Sequence, residues 1–229
     1  MKNFDVLLWD VDGTLLDFQA AERAAIRSLF HEFGIGECSD SMLSEYSMIN
    51  KKYWEMLERG ERTKKEILVG RFKEFFDREG IDSSISSDFN DRYQLSLGDT
   101  VAYCDNSYEL VSSLKGLIPQ YVVSNGTVIA QTKKLRTSGF DKLVDGVFLS
   151  EDLGFEKPRR EFFDIVMESI GQPSRDRVLV VGDSLTSDIL GGNNAEIKTC
   201  FYNPLREPNR TAAIPDYEIR DLNEILGIL

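Results

Sequence analysis

The sequence has a single histidine, His31, and three cysteines among 229 residues. One histidine argues against any triad that needs an imidazole base. Cys38, Cys104 and Cys200 are odd in number, far apart and outside any C-x-x-C spacing, which argues against a disulfide framework and a cysteine-rich zinc site. They read as buried free thiols of a protein in a reducing cytoplasm. No stretch approaches the roughly 18 uninterrupted apolar residues of a membrane span. The opening Met1-Lys2-Asn3-Phe4-Asp5 lacks the charged-then-apolar layout of a secretory leader. Positive charge is also short: 27 Lys+Arg stand against 39 Asp+Glu, a formal net charge of −12. Such a chain repels a polyanion and an anionic lipid surface, so neither nucleic acid nor membrane is expected as a partner. No internal repeat or low-complexity tract is present, which excludes a solenoid.

What is present is globular: 41% hydrophobic and 10% aromatic residues. A chain of this length buries roughly 70% of its unfolded surface, enough for a large core and a small companion domain. Phe4–Trp9 is a short, mostly apolar run of strand length. From residue 20 to 97 the apolar positions recur with the helical period. Ile26, Leu29, Phe30 and Phe33 lead to a stop at Gly34. Tyr46, Ile49, Tyr53, Met56 and Leu57 follow. Thr63 and Glu66 form a capping box ahead of Leu68, Phe72, Phe75 and Phe76, with Gly80 after them. A weaker helix is predicted over Asp88–Leu97.

Beyond residue 100 strands and helices alternate. Helices are predicted at Asn106–Leu117, Val128–Ser138, Glu161–Ile170 and after Ser187. Strands are predicted at Gln120–Ser124, Gly146–Ser150, Val178–Val181 and Lys198–Tyr202. Apolar strands alternating with helices imply a parallel sheet covered on both faces. The reading is an α/β, doubly wound, Rossmann-like core (1–16 and 99–229) with an inserted α-helical cap (17–98).

Ligands of such folds bind beyond the carboxyl ends of the strands. The predicted ends carry Asp10-Val11-Asp12-Gly13-Thr14-Leu15, then Ser124-Asn125-Gly126-Thr127, then Glu156-Lys157-Pro158, then Gly182-Asp183-Ser184-Leu185-Thr186-Ser187-Asp188. A turn starting at Asp10 can bring Asp10 and Asp12 to one pocket. With Asp183 nearby, several carboxylates would repel unless a cation is present, and an oxygen-only donor set suits Mg²⁺.

The ordered set Asp-x-Asp-Gly-Thr-Leu, Ser-Asn-Gly, Lys-Pro and Gly-Asp-Ser-x-x-x-Asp resembles the four-motif signature of haloacid dehalogenase-like phosphohydrolases. The insert after the first motif resembles their small cap. Thr14–Phe18 with Glu22, Gly182–Ile189, Gly191–Ala195 and Thr199–Pro204 are similar to a bacterial branch of pyrimidine nucleoside 5'-monophosphate phosphatases. The resemblance implies a Mg²⁺-dependent phosphomonoesterase working through an aspartyl-phosphate. It assigns Asp10 as nucleophile and Asp12 as general acid and base. It gives the metal to the carboxylates of Asp10 and Asp183 and the backbone carbonyl of Asp12. The transferring oxygens go to Ser124, the Asn125 backbone N–H and Lys157, with Asp188 and Thr14 in support. Asp12 favours phosphate over halide chemistry, since dehalogenases of the superfamily lack an acid there.

Plainer readings stand beside these. Ser124 and Asn125 are also turn formers, Lys157 a loop lysine, Asp188 a helix-surface charge and Asp17 a linker acid. Gly191-Gly192 reads as a helix end rather than a phosphate cradle, and His31 as a surface residue. Tyr46, Tyr53 and Trp54 read as cap packing, with a base-stacking ring as the sharper alternative. Rival functions are a sugar-phosphate phosphatase, a phosphomutase and, more remotely, a phospho-accepting receiver domain. The expected ligand is a small phosphate ester, a nucleoside monophosphate foremost. No heptad seam or apolar patch speaks to oligomeric state.

Overall fold

The computed structural model describes residues 3–229. The chain divides into two compact units. One comprises the chain up to Asp17, Ala102–Val128 and Ser138–Leu229; the other comprises Phe18–Val101 and Ile129–Thr137. Among the described residues no helix is long and apolar enough to cross a membrane.

The first unit is built on six parallel strands: β1 (Val6–Trp9), β2 (Gln120–Ser124), β3 (Gly146–Leu149), β4 (Val178–Gly182), β5 (Lys198–Tyr202) and β6 (Tyr217–Ile219), in the order β3-β2-β1-β4-β5-β6. β1 is central, with Trp9 level with Val122 on one side and Val181 on the other. All four residues of β1 and all five of β4 are buried, as a sheet covered on both faces requires. Val6, Leu8, Val123, Val178 and Val180 pack against Phe162, Phe163, Val166 and Met167 of a helix at Arg160–Ser169. On β1 the Trp9 indole donates to the side-chain Oε1 of Gln120 on β2 at 3.0 Å, so the buried N–H has its partner.

The second unit holds four helices, α1 (Phe18–Glu32), α2 (Asp40–Glu58), α3 (Lys64–Glu79) and α4 (Ser86–Ser96), and most of a helix at Val128–Ser138. Ser39 caps α2 by accepting from Met42 N–H, and α3 opens with the Thr63/Glu66 capping box and ends on Gly80 in the left-handed conformation. Phe30, Tyr46, Phe72, Phe75, Phe76, Phe89 and Tyr93 form its fully buried aromatic core, with Tyr46 and Phe72 stacked at 4.9 Å between centroids. Tyr46 is thus cap packing. A polar network is buried within this unit. The Glu22 carboxylate accepts from Ser47 and, at 2.8 Å, from Asn50, whose carbonyl accepts from the Arg71 guanidinium at 2.6 Å. Burial pushes the Glu22 carboxyl above its ordinary 4.5, against the pull of Ser47, Arg71, Asn50 and Tyr93.

The remaining helices are α5 (Ser107–Leu114), α6 (Val128–Ser138), α7 (Ser150–Leu153), α8 (the Arg160–Ser169 helix) and α9 (Leu190–Asn194). Three features depart from the sequence pattern. Ser150 opens α7 instead of closing β3. The stretch from Leu185 is a π-helical turn, Leu185–Ile189, running into α9. Gly191 and Gly192 lie inside α9, where a Cβ would strike Phe163 and Thr199, so they serve close packing of helix on sheet. His31 is exposed on α1, and all three cysteines are free, Cys38 and Cys200 buried and Cys104 partly so.

Candidate active site

Strand order reverses between β1 and β4, and the segments bearing Asp10 and Asp183 leave the sheet at that switch point. Asp10 follows the last residue of β1, with its N–H donating to Val181 O at 2.9 Å. The turn after it closes on itself: Leu15 and Leu16 N–H both donate to Val11 O, at 3.0 and 2.8 Å, and Gly13 N–H donates to Leu16 O at 2.8 Å. Gly13 sits at φ 91°, and a Cβ there would collide with the Asp183 carboxylate. Glycine is therefore required by both backbone and space. Thr14, fully buried, donates its hydroxyl to Asp183 Oδ1 at 3.2 Å.

Lys157 is at the centre of the cluster. Its side chain is 1% exposed, and its ammonium reaches Asp10 Oδ1 at 2.7 Å, Asp188 Oδ1 at 2.6 Å and the carbonyl of Val123 on β2 at 2.9 Å. Three ammonium protons thus meet three acceptors. Burial alone would lower the lysine's proton affinity, but the charges of Asp10 and Asp188 outweigh it and hold the ammonium above its ordinary range. The π-helical turn swings Asp188 back, so that its other oxygen accepts from Ser184 N–H at 3.2 Å. Gly182 makes room for this, since a Cβ there would strike the Asp188 side chain.

Burial pushes the Asp10 carboxyl up to about 7, Lys157 pulling it back and the Asp188 charge pushing it further. Asp183 is exposed, unlike Asp10 and Asp188. The protein packed around it, first, and then the charges of Asp10 and Asp188 push its carboxyl well above the carboxylate range. Carboxylate oxygens of Asp10, Asp183 and Asp188 lie within 4.8 Å of one another. Three converging carboxylates with oxygen donors only fit a hard divalent cation, which would reverse the upward push by favouring their ionised forms. Each of the three is also held within the protein, Asp10 and Asp188 by Lys157 and Asp183 by Thr14.

Of the residues singled out in the sequence, Asp10, Thr14, Lys157, Asp183 and Asp188 meet in one hydrogen-bonded constellation. Asp12 is partly buried on the same turn and outside the three-carboxylate group. Ser124, 2% exposed at the end of β2, accepts from Gly126 N–H at 3.0 Å. Asn125 has a side-chain role that no sequence pattern signals. Its amide N–H donates to Lys157 O and its carbonyl accepts from Lys157 N–H, both at 2.8 Å.

Acids and a buried lysine thus gather where doubly wound sheets bind their ligands. The haloacid dehalogenase-like hydrolase profile matches residues 4–196, and the chain belongs to that family. It is 40% identical over 229 residues to the HAD-hydrolase YfnB of Bacillus subtilis, covering 100% of this chain and 97% of that one. It is 35% identical over 227 residues to the pyrimidine 5'-nucleotidase PynA of Streptococcus pneumoniae, covering 99% and 95%. It is 26% identical over 226 residues to the pyrimidine 5'-nucleotidase YjjG of Escherichia coli, covering 99% and 98%. The crystal structure of magnesium-bound YfnB superposes with a TM-score of 0.93 at 39% identity, covering 100% of this chain and 99% of that one.

Proposed function

We propose that the protein is a Mg²⁺-dependent phosphomonoesterase whose preferred substrates are pyrimidine nucleoside 5'-monophosphates. The observation that carries this reading is the Asp10–Lys157–Asp188 chain with Asp183 alongside and Asp12 on the same turn. Likeness to two pyrimidine 5'-nucleotidases over nearly the full chain supports the substrate class.

In this mechanism the Asp10 carboxylate attacks phosphorus in line. The new Asp10 O–P bond forms as the ester P–O bond breaks, and Asp12 gives its proton to the leaving alkoxide. Asp12, now ionised, takes a proton from water as that water attacks the acylphosphate. Inorganic phosphate departs, and Asp10 is again a carboxylate with Asp12 again protonated. The Asp10 and Asp183 carboxylates and the Asp12 backbone carbonyl would hold magnesium, which when bound would supply positive charge to neutralise the phosphoryl oxygens and keep Asp10 ionised. Lys157 contributes a fixed cation beside the nucleophile. Ser124 has its hydroxyl proton to donate to a phosphoryl oxygen, since its own oxygen accepts from Gly126, and the Asn125 backbone N–H donates to another. Thr14 orients Asp183.

The test is release of inorganic phosphate from a panel of pyrimidine and purine nucleoside monophosphates and sugar phosphates with Mg²⁺, with Asp10→Asn as control. The highest kcat/KM should fall on a pyrimidine nucleotide. Preference for a sugar phosphate would overturn the substrate class, and no release from any ester would overturn the reaction. Isomerised sugar phosphate without net release would instead identify a mutase.

A further inference from the structure

We propose that the Asn125 side chain is a positioning residue that acts through Lys157, and does not itself bind the phosphoryl group; this rests on the phosphomonoesterase reading. Both polar atoms of its amide are spent on the backbone of one residue. Nδ2 donates to Lys157 O and Oδ1 accepts from Lys157 N–H, each at 2.8 Å. The backbone of Lys157 is therefore gripped on both sides of its Cα. The far end of the same lysine is gripped by the same strand end, because Nζ donates to Val123 O at 2.9 Å, two residues before Asn125. One strand terminus thus holds a lysine at both its peptide and its ammonium. The two remaining ammonium bonds go to Asp10, the reacting carboxylate, and to Asp188.

A lysine carries four side-chain torsions and, left to itself, considerable rotamer entropy. Burial at 1% exposure limits where that chain can go, but it does not fix the loop carrying it, which lies between α7 and α8. The Asn125 clasp fixes that loop to β2. Asn125 is itself 9% exposed, so water competes little for these two bonds. An aspartate would keep the acceptor and lose the donor; an alanine loses both.

The experiment compares Asn125→Ala and Asn125→Asp, each alone and with Lys157→Met, by steady-state kinetics with Mg²⁺ and by peptide-mapped amine labelling of Lys157. Misplacing a catalytic group by about 1 Å costs about 10²-fold in rate. Asn125→Ala should therefore lower kcat by about 10²-fold, with little change in KM. It should raise Lys157 labelling about tenfold, as loosening of a buried side chain allows. In the Lys157→Met background it should add almost nothing to the loss. Asn125→Asp, which carries the test if the alanine variant fails to fold, should fall between wild type and alanine in both readouts. A raised KM with kcat and labelling unchanged would overturn the proposal, as would losses that multiply with those of Lys157→Met, for either would make the amide a phosphate ligand. The labelling arm holds whether or not any ester is hydrolysed, so failure of the phosphomonoesterase reading is distinguishable from failure of the clasp.

Discussion

Replacing Lys157 with Met isolates the electrostatic problem that the site solves. Methionine fills much of the lysine's volume, so the change removes the charge more than the packing. The lysine side chain is 1% exposed, that of Asp188 1% and that of Asp10 10%, so two carboxylates lose their shared counter-ion with little water to replace it. Breaking a buried ion pair by deleting one partner costs about 3–5 kcal/mol, because the abandoned charge remains in low dielectric. In a unit of this size each kcal/mol moves the melting temperature by roughly 2–4 °C. Lys157→Met should thus melt roughly 6–20 °C below wild type in EDTA, where no cation can stand in for the ammonium. Adding Asp188→Asn removes one stranded charge. The double variant should be more stable than the sum of the two single losses by about 1–3 kcal/mol. Differential scanning calorimetry on the four proteins closes the cycle. A Lys157→Met protein melting within about 2 °C of wild type, or strictly additive losses, would refute the reasoning, since the lysine would then not be the counter-ion that burial demands.

Gly13→Ala places a Cβ at a left-handed φ and against Asp183, so kcat should fall about 10²-fold at a stability cost of only about 1–3 kcal/mol. Near-wild-type turnover would show that Asp183 can move freely. Glu22 binds its proton more tightly folded than unfolded, so it makes stability fall as pH rises above 4.5 toward its raised value, by at most about 1.4 kcal/mol per pH unit. Glu22→Gln should flatten that part of the melting-temperature profile, and parallel profiles for the two proteins would contradict the assignment. With a net charge of −12 the long-range field opposes an anionic substrate, so kcat/KM should hold or rise with added salt. A steep fall would mean that a local positive field steers substrate inward.

The site was legible because its residues sit at fixed offsets from strand ends, and strands as apolar as Val178–Val181 announce themselves. Asp10, Asp183 and Asp188 come together because β1 and β4 are neighbours, an order that the alternation of strands and helices does not fix, and Lys157 reaches them from the loop between α7 and α8. What escaped was of two kinds. β6 has three residues, two of them exposed, so it has neither the length nor the apolar run that marks a strand. The central part of α6 groups with the helical unit although it lies between strands, because Ala130 joins that unit's apolar cluster, a long-range fact that periodicity cannot carry. The Asn125 clasp and the Glu22–Asn50–Arg71 network depend on pairings between residues far apart in sequence, and an asparagine in a turn looks the same whether its amide faces water or a peptide.

The central place of β1 has a consequence for how the chain comes to be folded. Trp9 precedes Gln120, beside which it packs, by 111 residues, and β4 lies further on still. This fully buried strand is thus synthesised well before either neighbour exists, while the helical segment after it can close on its own local contacts. During that interval Val-Leu-Leu-Trp is an unpaired apolar strand with both edges open, the kind of segment that recruits other chains. Asp5 and Asp10 bracket it with negative charge, and charges flanking an apolar run suppress such pairing. The carboxylate proposed as nucleophile then has an earlier task, keeping its own strand solitary until β2 and β4 arrive.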